Sequence, residues 1–326
     1  MQAVEELIST ILGGLEQLWL LLGLDQLVAT LRASETGQLL SVEGVAAIAA
    51  PLIPCLLLLE MLAMVLRGQF HWRYFRLPLL MLIVNGVIMS VLSLSVALAI
   101  ASLLRPYALL ETSFTWYWFI YGYIVWEFSH FVYHYLGHRV RLLWCLHSTH
   151  HAPRHMNLSV SFAHFFLEAP YADLVRIGIC TLAGLDPAVL LLVIAIDSLW
   201  GSFIHVGEEM MPNGRMGFLQ KFILTPSHHR LHHARNNIYI DTNFCNLLNI
   251  WDHLFGTYKE QEENIAPDYG IKRPMNPDSF FDVYFGEFVQ LFSDMRSAPR
   301  WSDKLCYLLL PPDWRHDAEL LSMDEK

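Results

Sequence analysis

Charge is what this chain has least of. Of its 326 residues only 16% are Asp, Glu, Lys or Arg, against about a quarter in an average domain, while 54% are hydrophobic and the mean hydropathy is +0.36. That balance is the one found in membrane proteins. Basic residues are the scarcer sign, 21 against 31 acidic for a net charge of −10, and they form no stripe, which argues against nucleic acid as a partner. The five cysteines, Cys55, Cys145, Cys180, Cys245 and Cys306, contain no CxxC pair, so a reducing compartment and no thiolate metal site are expected. The first residues lack the basic region and small-residue cleavage site of a signal peptide. Internal repeats, low-complexity linkers and the signatures of haem attachment, flavin or iron–sulfur binding are also missing.

Long uncharged runs are plentiful instead. Leu77 to Leu104 holds 28 positions without a charge, more than the roughly 20 that a spanning helix needs. Val45 to Leu66 is nearly as apolar, and Glu60 inside it must face a neighbouring helix or snorkel toward the interface. Phe114 to Tyr133, rich in Trp and Tyr, is a third candidate span. The first forty residues set Glu5, Glu6, Glu16 and Asp25 among leucines, the pattern of an interfacial amphipathic helix. Leu174 to Trp200 is broken by Arg176, Asp186 and Pro187 and reads as two helices meeting near Gly184, dipping into the membrane and returning His205 to its surface. Arg67, Arg73 and Arg76 fill the loop between the first two spans while Arg105 stands nearly alone on the next. The positive-inside rule then puts the first loop, and everything after about Tyr133, in the cytoplasm.

The histidines are unevenly distributed. Of 16, 14 fall between His130 and His253, leaving only His71 and His316 outside. Three groups have ligand spacing: His134 and His138 in HYLGH; His147, His150 and His151 in HSTHH; and His229, His232 and His233 in the stretch TPSHHRLHHARN. Residues three and four apart share a helix face, so each group offers two or three imidazoles to one point. One structural zinc needs four ligands, and these eight suffice for a pair of metal ions. Imidazole suits zinc, copper, iron and nickel alike. Iron is preferred over zinc because so many ligands leave little room for a zinc-bound water. The expected fold class is all-α: an integral membrane helical bundle of about four spans or half-spans with a cytoplasmic histidine-rich cap holding a binuclear metal site.

The order HxxxH, HxxHH, HxxHH resembles the fatty acid hydroxylase and sterol desaturase superfamily. The block TPSHHRLHHARNNIYIDTNFCNLLNIWDHLFGTY and the tail from KRPMNP to LLLPPDW look similar to its bacterial sterol-desaturase-like and alkylglycerol monooxygenase subgroups. The resemblance covers roughly Trp116 to Trp314. It implies two iron ions ligated by the eight box histidines, dioxygen as oxidant and hydroxylation of a C–H bond in a fatty acyl, sterol or ether lipid. Electrons would come from an external donor, cytochrome b5-like, a ferredoxin or, as in ether-cleaving relatives, tetrahydropterin. His205 and His228 match further histidines of the family and are placed with the metal set, His228 as a ligand or as the partner of one and His205 as a ligand or as an anchor at the interface. His130, where relatives have an aromatic residue, is a bystander on its helix, and His253 is one too.

Because ligating histidines give their second N–H to a carboxylate or carbonyl, Glu127, Asn157, His164, Asp241, Asn243 and Asp252, with Glu168, are expected to support them, and His155 and His164 to lie near the second box. The chain departs from the family at Glu127, Tyr135 and Ala163, where Asp, Arg and Arg are usual. The domains expected are 1–113 (interfacial helix and spans), 114–260 (hydroxylase-like catalytic domain) and 261–326 (cytoplasmic tail on the cap), in a bacterial inner membrane or endoplasmic reticulum. Three other activities compete: a desaturase on the same irons, a zinc-dependent membrane hydrolase, and a metal transporter. Transport would spread the histidines through several spans at mid-membrane.

Overall fold

The structure is a computed structural model that describes residues 2–33 and 42–317. Residues 34–40 of the expected N-terminal interfacial segment, and 318–326 of the expected tail, lie outside the described residues. Regular structure among the described residues is helical, with only two isolated bridges, Ile223 to Leu248 and Ala234 to Tyr269, of β character. Helices α1 (Gln2–Leu21) and α2 (Leu24–Ala33) are separated by Gly23, and α1 exposes Leu12, Leu15 and Trp19 along one side.

Helices α3 (Val42–Leu66) and α4 (Arg73–Leu104) are the two described helices long and apolar enough to cross a membrane. Their apolar side chains are not the inside of a core: Ile83 and Val87 of α4 are each 77% exposed, and Val91, Leu94 and Leu98 also point outward. Outward hydrophobic surface on this scale is stable against lipid and unstable against water. Glu60 does not snorkel. It is fully buried and accepts the backbone N–H groups of Leu158 and Gly207, both at 2.7 Å, which ties two loops of the histidine region to α3.

The third expected span, from Trp116 onward, falls in α5 (Trp116–Arg139), which is partly apolar and packs one side against α7 (Glu168–Leu182) and α8 (Pro187–Phe203) around Tyr123, Trp126, Ile177 and Val189. The two helices α7 and α8 do meet at Gly184. Its φ of +78° and the approach of the Leu110 carbonyl, which a Cβ would meet at 1.9 Å, require glycine there. Asp186 then caps α8 through the N–H groups of Ala188 and Val189, with Pro187 at the first helical position.

Val140 is extended, which ends α5 and turns the chain into α6 (Arg141–His151). The remaining helices are α9 (Pro226–His232), α10 (Ile250–Phe255), α11 (Phe280–Ser297) and α12 (Trp301–Leu309). Helices α11 and α12 pack on α6 around Cys145, Leu291 and Tyr307.

Candidate metal centre

Nine histidines converge in two buried groups. His134, His138, His147, His151 and His232 form one; His150, His205, His229 and His233 form the other, each group with its nitrogens within 4.8 Å of one another. The grouping follows from helix geometry. Residues i and i+4 lie about 40° apart around an α-helix, whereas i+3 lies about 60° to the other side. On α6, His147 and His151 therefore aim at one point while His150 turns to the other. The distal box is split the opposite way, His229 and His233 going to the second group and His232 to the first. His134 and His138, four apart on α5, stay together. His205, in the turn after α8, completes the second group.

The ring nitrogens are spaced like ligands. His134 Nε2 lies 3.1 Å from His147 Nε2, which lies 3.0 Å from His151 Nε2, and that in turn 3.2 Å from His138 Nε2. In the second group, His205 Nε2 is 3.2 Å from His150 Nε2 and 2.9 Å from His229 Nε2, with His233 Nε2 at 3.1 Å from His229 Nε2. Ligands at right angles around an ion with metal–nitrogen bonds of about 2.1 Å would be about 3.0 Å apart.

Tautomers decide what those close contacts mean. His134 Nδ1 faces the Phe244 carbonyl at 2.7 Å, His232 Nδ1 the Thr242 carbonyl at 2.8 Å and His205 Nδ1 the Gly201 carbonyl at 2.6 Å. A carbonyl only accepts, so each Nδ1 carries the proton and each Nε2 presents a lone pair. His147 Nδ1 donates to Glu168 Oε1 at 2.5 Å, which turns its Nε2 lone pair directly toward that of His134. Burial, reinforced by neighbouring histidines, holds the His134, His150, His151, His229 and His233 rings well below their usual 6.5. Burial also holds His232 down and pushes His138 to about 4 and His205 to about 3. Neutral rings whose lone pairs converge at 3 Å repel unless a cation stands between them. His232 Nε2, buried with no hydrogen-bond partner, has the same requirement. The donor set therefore fits two metal ions.

Supporting residues fall into three kinds. Glu168 touches the site directly: Oε1 accepts from His147 and from the Tyr133 hydroxyl at 2.8 Å, while Oε2 accepts from His164 at 2.7 Å. The His164 ring stacks on His150 with centroids 4.5 Å apart, so one carboxylate braces both groups. Burial alone would raise the Glu168 carboxyl, but the His164 and His147 rings outweigh it and hold the group below the carboxylate range. Asp241 lies 3.5 Å from His138 Nδ1 and is bridged to Arg139 at 2.6 Å.

The second kind acts through the backbone. Asp252 accepts the N–H groups of Phe244 and Cys245, at 2.8 and 2.9 Å, and Asn243 binds the His228 carbonyl and both backbone groups of Lys259. Asp241 and Asn243 themselves sit at φ near +60°, a conformation these two residue types adopt more readily than most. The strained loop they make aims the Thr242 and Phe244 carbonyls at His232 and His134. The third kind departs from expectation. Glu127 accepts the N–H groups of Asn246, Leu247 and Leu248, and Asn157 caps the turn Leu158–Phe162, so neither contacts a histidine.

His228 also departs from the metal set. Its Nδ1 accepts the Thr225 N–H at 3.2 Å, which leaves the proton on Nε2 to donate to the Tyr258 hydroxyl at 3.0 Å. Both nitrogens are used, and the residue fills the capping-box position that starts α9. His130 stands outside both groups, 3.9 Å from Asp197; His155 pairs with Glu209 at 3.0 Å; and His253 stacks on Tyr258. Sequence reasoning missed Tyr133 and the three carbonyl acceptors. A cavity of about 460 Å³ reaches His138, His151 and His232 of the five-histidine group from the side of Arg235, Lys272 and Arg315.

Two buried all-histidine clusters, drawn from the three boxes and His205, thus sit in a helical frame. Residues 119–257 match the Fatty acid hydroxylase family model. Its similarity extends to alkylglycerol monooxygenases: 29% identity to that of Xenopus tropicalis over 202 residues, covering 61% of this chain and 43% of the relative, and 28% to that of Homo sapiens over 216 residues, covering 66% and 46%. An ornithine lipid hydroxylase of Rhizobium tropici is 27% identical over 150 residues, covering 46% of this chain and 44% of the relative. The chain thus matches less than half the length of these curated relatives. No solved structure matches it.

Proposed function

We propose that the chain is a membrane-bound di-iron oxygenase that uses dioxygen and electrons from an external donor to hydroxylate a C–H bond of a lipid, with its metal centre on the cytoplasmic side. The observation that carries this reading is the five-plus-four arrangement of buried imidazoles. Zinc sites are almost always four-coordinate, and five nitrogens converging on one point favour a metal that takes five or six ligands. Bound iron would supply the oxidising chemistry.

The protein's own share is to hold two ions at fixed separation, keep their ligands neutral, and exclude bulk water by burial. His134, His138, His147, His151 and His232 would hold one ion and His150, His205, His229 and His233 the other. Glu168, Asp241 and the Thr242, Phe244 and Gly201 carbonyls fix the rings, and His228 fixes the start of α9 rather than a metal. The names of the relatives, which act on an alkylglycerol and an ornithine lipid, support a lipid substrate. A second cavity of about 290 Å³ between Leu77, Pro78 and Met81 of α4 and Thr149 and Ala152 beside the boxes suits an acyl chain arriving from the bilayer. The larger of these two cavities, bordered by Arg235, Lys272 and Arg315, suits a small electron donor such as a pterin.

Comparative lipid mass spectrometry of a host making the chain or its His150→Ala variant, grown under labelled dioxygen, tests the proposal. A lipid gaining one labelled oxygen only with the intact chain is expected. Loss of two mass units would replace hydroxylation by desaturation, and a product unaffected by removing oxygen would replace both by hydrolysis.

A further inference from the structure

Helix α11 is built with its polarity reversed. From Phe280 to Phe292 every exposed residue is apolar: Phe281, Phe285, Val289 and Phe292. Their spacing of four, four and three makes one continuous stripe. The acidic residues of the same helix turn inward and are paired, Asp282 and Glu287 with Arg273 at 2.7 and 3.0 Å, and Asp294 with Arg141. Helix α12 continues the stripe with exposed Trp301, Leu305 and Leu309. Where the two helices join, Arg296 and Arg300 are exposed and Lys304 lies 4.9 Å from the Trp301 ring. None of these three cations has an ion-pair partner among the described residues.

We propose that this face lies on an anionic phospholipid bilayer, a membrane contact separate from α3 and α4. The inference rests on those two helices crossing the membrane. Depth supports it. Asp278, just before α11, pairs with Arg76 at 2.6 Å, and the Tyr284 hydroxyl donates to Asn85 Oδ1, also at 2.6 Å. The stretch of α4 from Asn85 to Leu104 would measure about 30 Å, the thickness of a hydrocarbon core. Asn85 then marks the core boundary, and the turns from Arg76 to Asn85 stand among the headgroups. Helix α11 is fastened along those turns, so its outward aromatic stripe meets the upper acyl carbons. Arg296, Arg300 and Lys304 meet lipid phosphates just above.

The contact bears on the site as well. The inward face of α11 contributes Val283 to the cavity beside α4 and Glu287, Gln290 and Asp294 to the larger one. Asn85, which Tyr284 engages, donates in turn to the His164 carbonyl at 2.6 Å. Helix α11 is thus the wall between bilayer and cavities.

The test is photolabelling of the full chain in phosphatidylcholine/phosphatidylglycerol vesicles, with a phospholipid that carries a diazirine near the glycerol end of one acyl chain. Peptide mass spectrometry should find adducts at Phe281, Phe285, Phe292 and Trp301 as well as at Ile83 and Val87 of α4, with the polar loop around Glu263 unlabelled. Omitting phosphatidylglycerol should reduce the α12 adducts several-fold. Label on α4 with none on α11 or α12 would overturn the inference and leave the membrane reading intact, whereas an unlabelled α4 would overturn both. With a photoreactive amino acid in place of Phe285, cross-links joining two copies of the chain and no lipid adduct on the stripe would assign the face to a dimer and overturn the inference too.

Discussion

Replacing Glu168 by Gln separates the bracing of the metal centre from the ligands themselves. The carboxylate accepts three hydrogen bonds on two oxygens, from His147 at 2.5 Å, His164 at 2.7 Å and Tyr133 at 2.8 Å. A glutamine has one acceptor oxygen and an NH₂ group, so either His147 or His164 is left facing another donor. Losing one hydrogen bond to a charged group costs about 1.5–3 kcal/mol, or roughly 10- to 150-fold in an equilibrium constant. That range overlaps the roughly 10- to 100-fold fall in metal affinity typical when a partner of a ligating histidine is removed. His147 belongs to the five-histidine group, so the loss should fall on that metal. His150, reached only through the stack with His164, should keep its own. Metal content measured by mass spectrometry at rising chelator concentration should show one ion leaving at a concentration roughly 10- to 100-fold lower than in the unaltered chain, with the melting temperature recording whether the fold survives. A variant that stays folded and releases both ions at the unaltered concentrations would refute the bracing role.

Other expectations follow from the same geometry. His151→Ala and His233→Ala each remove a ligand from a different group, so each should lose one ion and retain the other; simultaneous loss in both variants, with the fold intact, would mean that the groups are not separate sites. In the unaltered chain the four-histidine ion should leave first, because His150 Nδ1 and His229 Nδ1 are buried without partners, whereas the other group is braced by Glu168, Asp241 and two carbonyls; absorption spectra of chelator-treated protein would show the order of release. The metal-free chain should lose stability as pH falls from 7 toward 4. Unfolded histidines take up protons near 6.5 while His138 refuses them until about 4, so each such ring adds a slope of up to about 1.4 kcal/mol per pH unit; a pH-independent melting temperature over that range would contradict the burial. Gly184→Ala should destabilise the chain by at least about 2 kcal/mol through left-handed backbone strain and overpacking against Leu110, seen as a lower melting temperature, and an unchanged one would disprove the close approach.

How much of this was legible in the sequence depends on the range of the interaction. Helix periodicity is local, so HYLGH, HSTHH and HRLHH could be recognised as ligand boxes, and Pro187 after Asp186 could be recognised as the start of a helix. The sorting of histidines between ions is not local. Helix geometry alone turns the i+3 member of each HxxHH away from its partners, but which ion each of them then serves depends on how α5, α6 and α9 are rotated against one another. Carboxylates are visible in sequence but their targets are not: Glu168 and Asp241 lie against histidines, whereas Glu127 binds three backbone N–H groups from a loop some 120 residues away. Carbonyl acceptors such as Phe244 and Thr242 leave no signature, since every residue has one. His228 was indistinguishable from a ligand by type and spacing. Only its two hydrogen bonds, to Thr225 and Tyr258, set it apart. The reversed polarity of α11 is likewise invisible until the partners of Asp282, Glu287 and Asp294 are known.

The central claim is a pair of irons held by nine histidines. The most direct measurement is the metal content of the purified chain, determined by inductively coupled plasma mass spectrometry together with its Mössbauer spectrum. Two irons per chain in all-nitrogen environments are predicted, and a chain that carries zinc instead, or a single iron bound to only one of the two groups, would contradict the account.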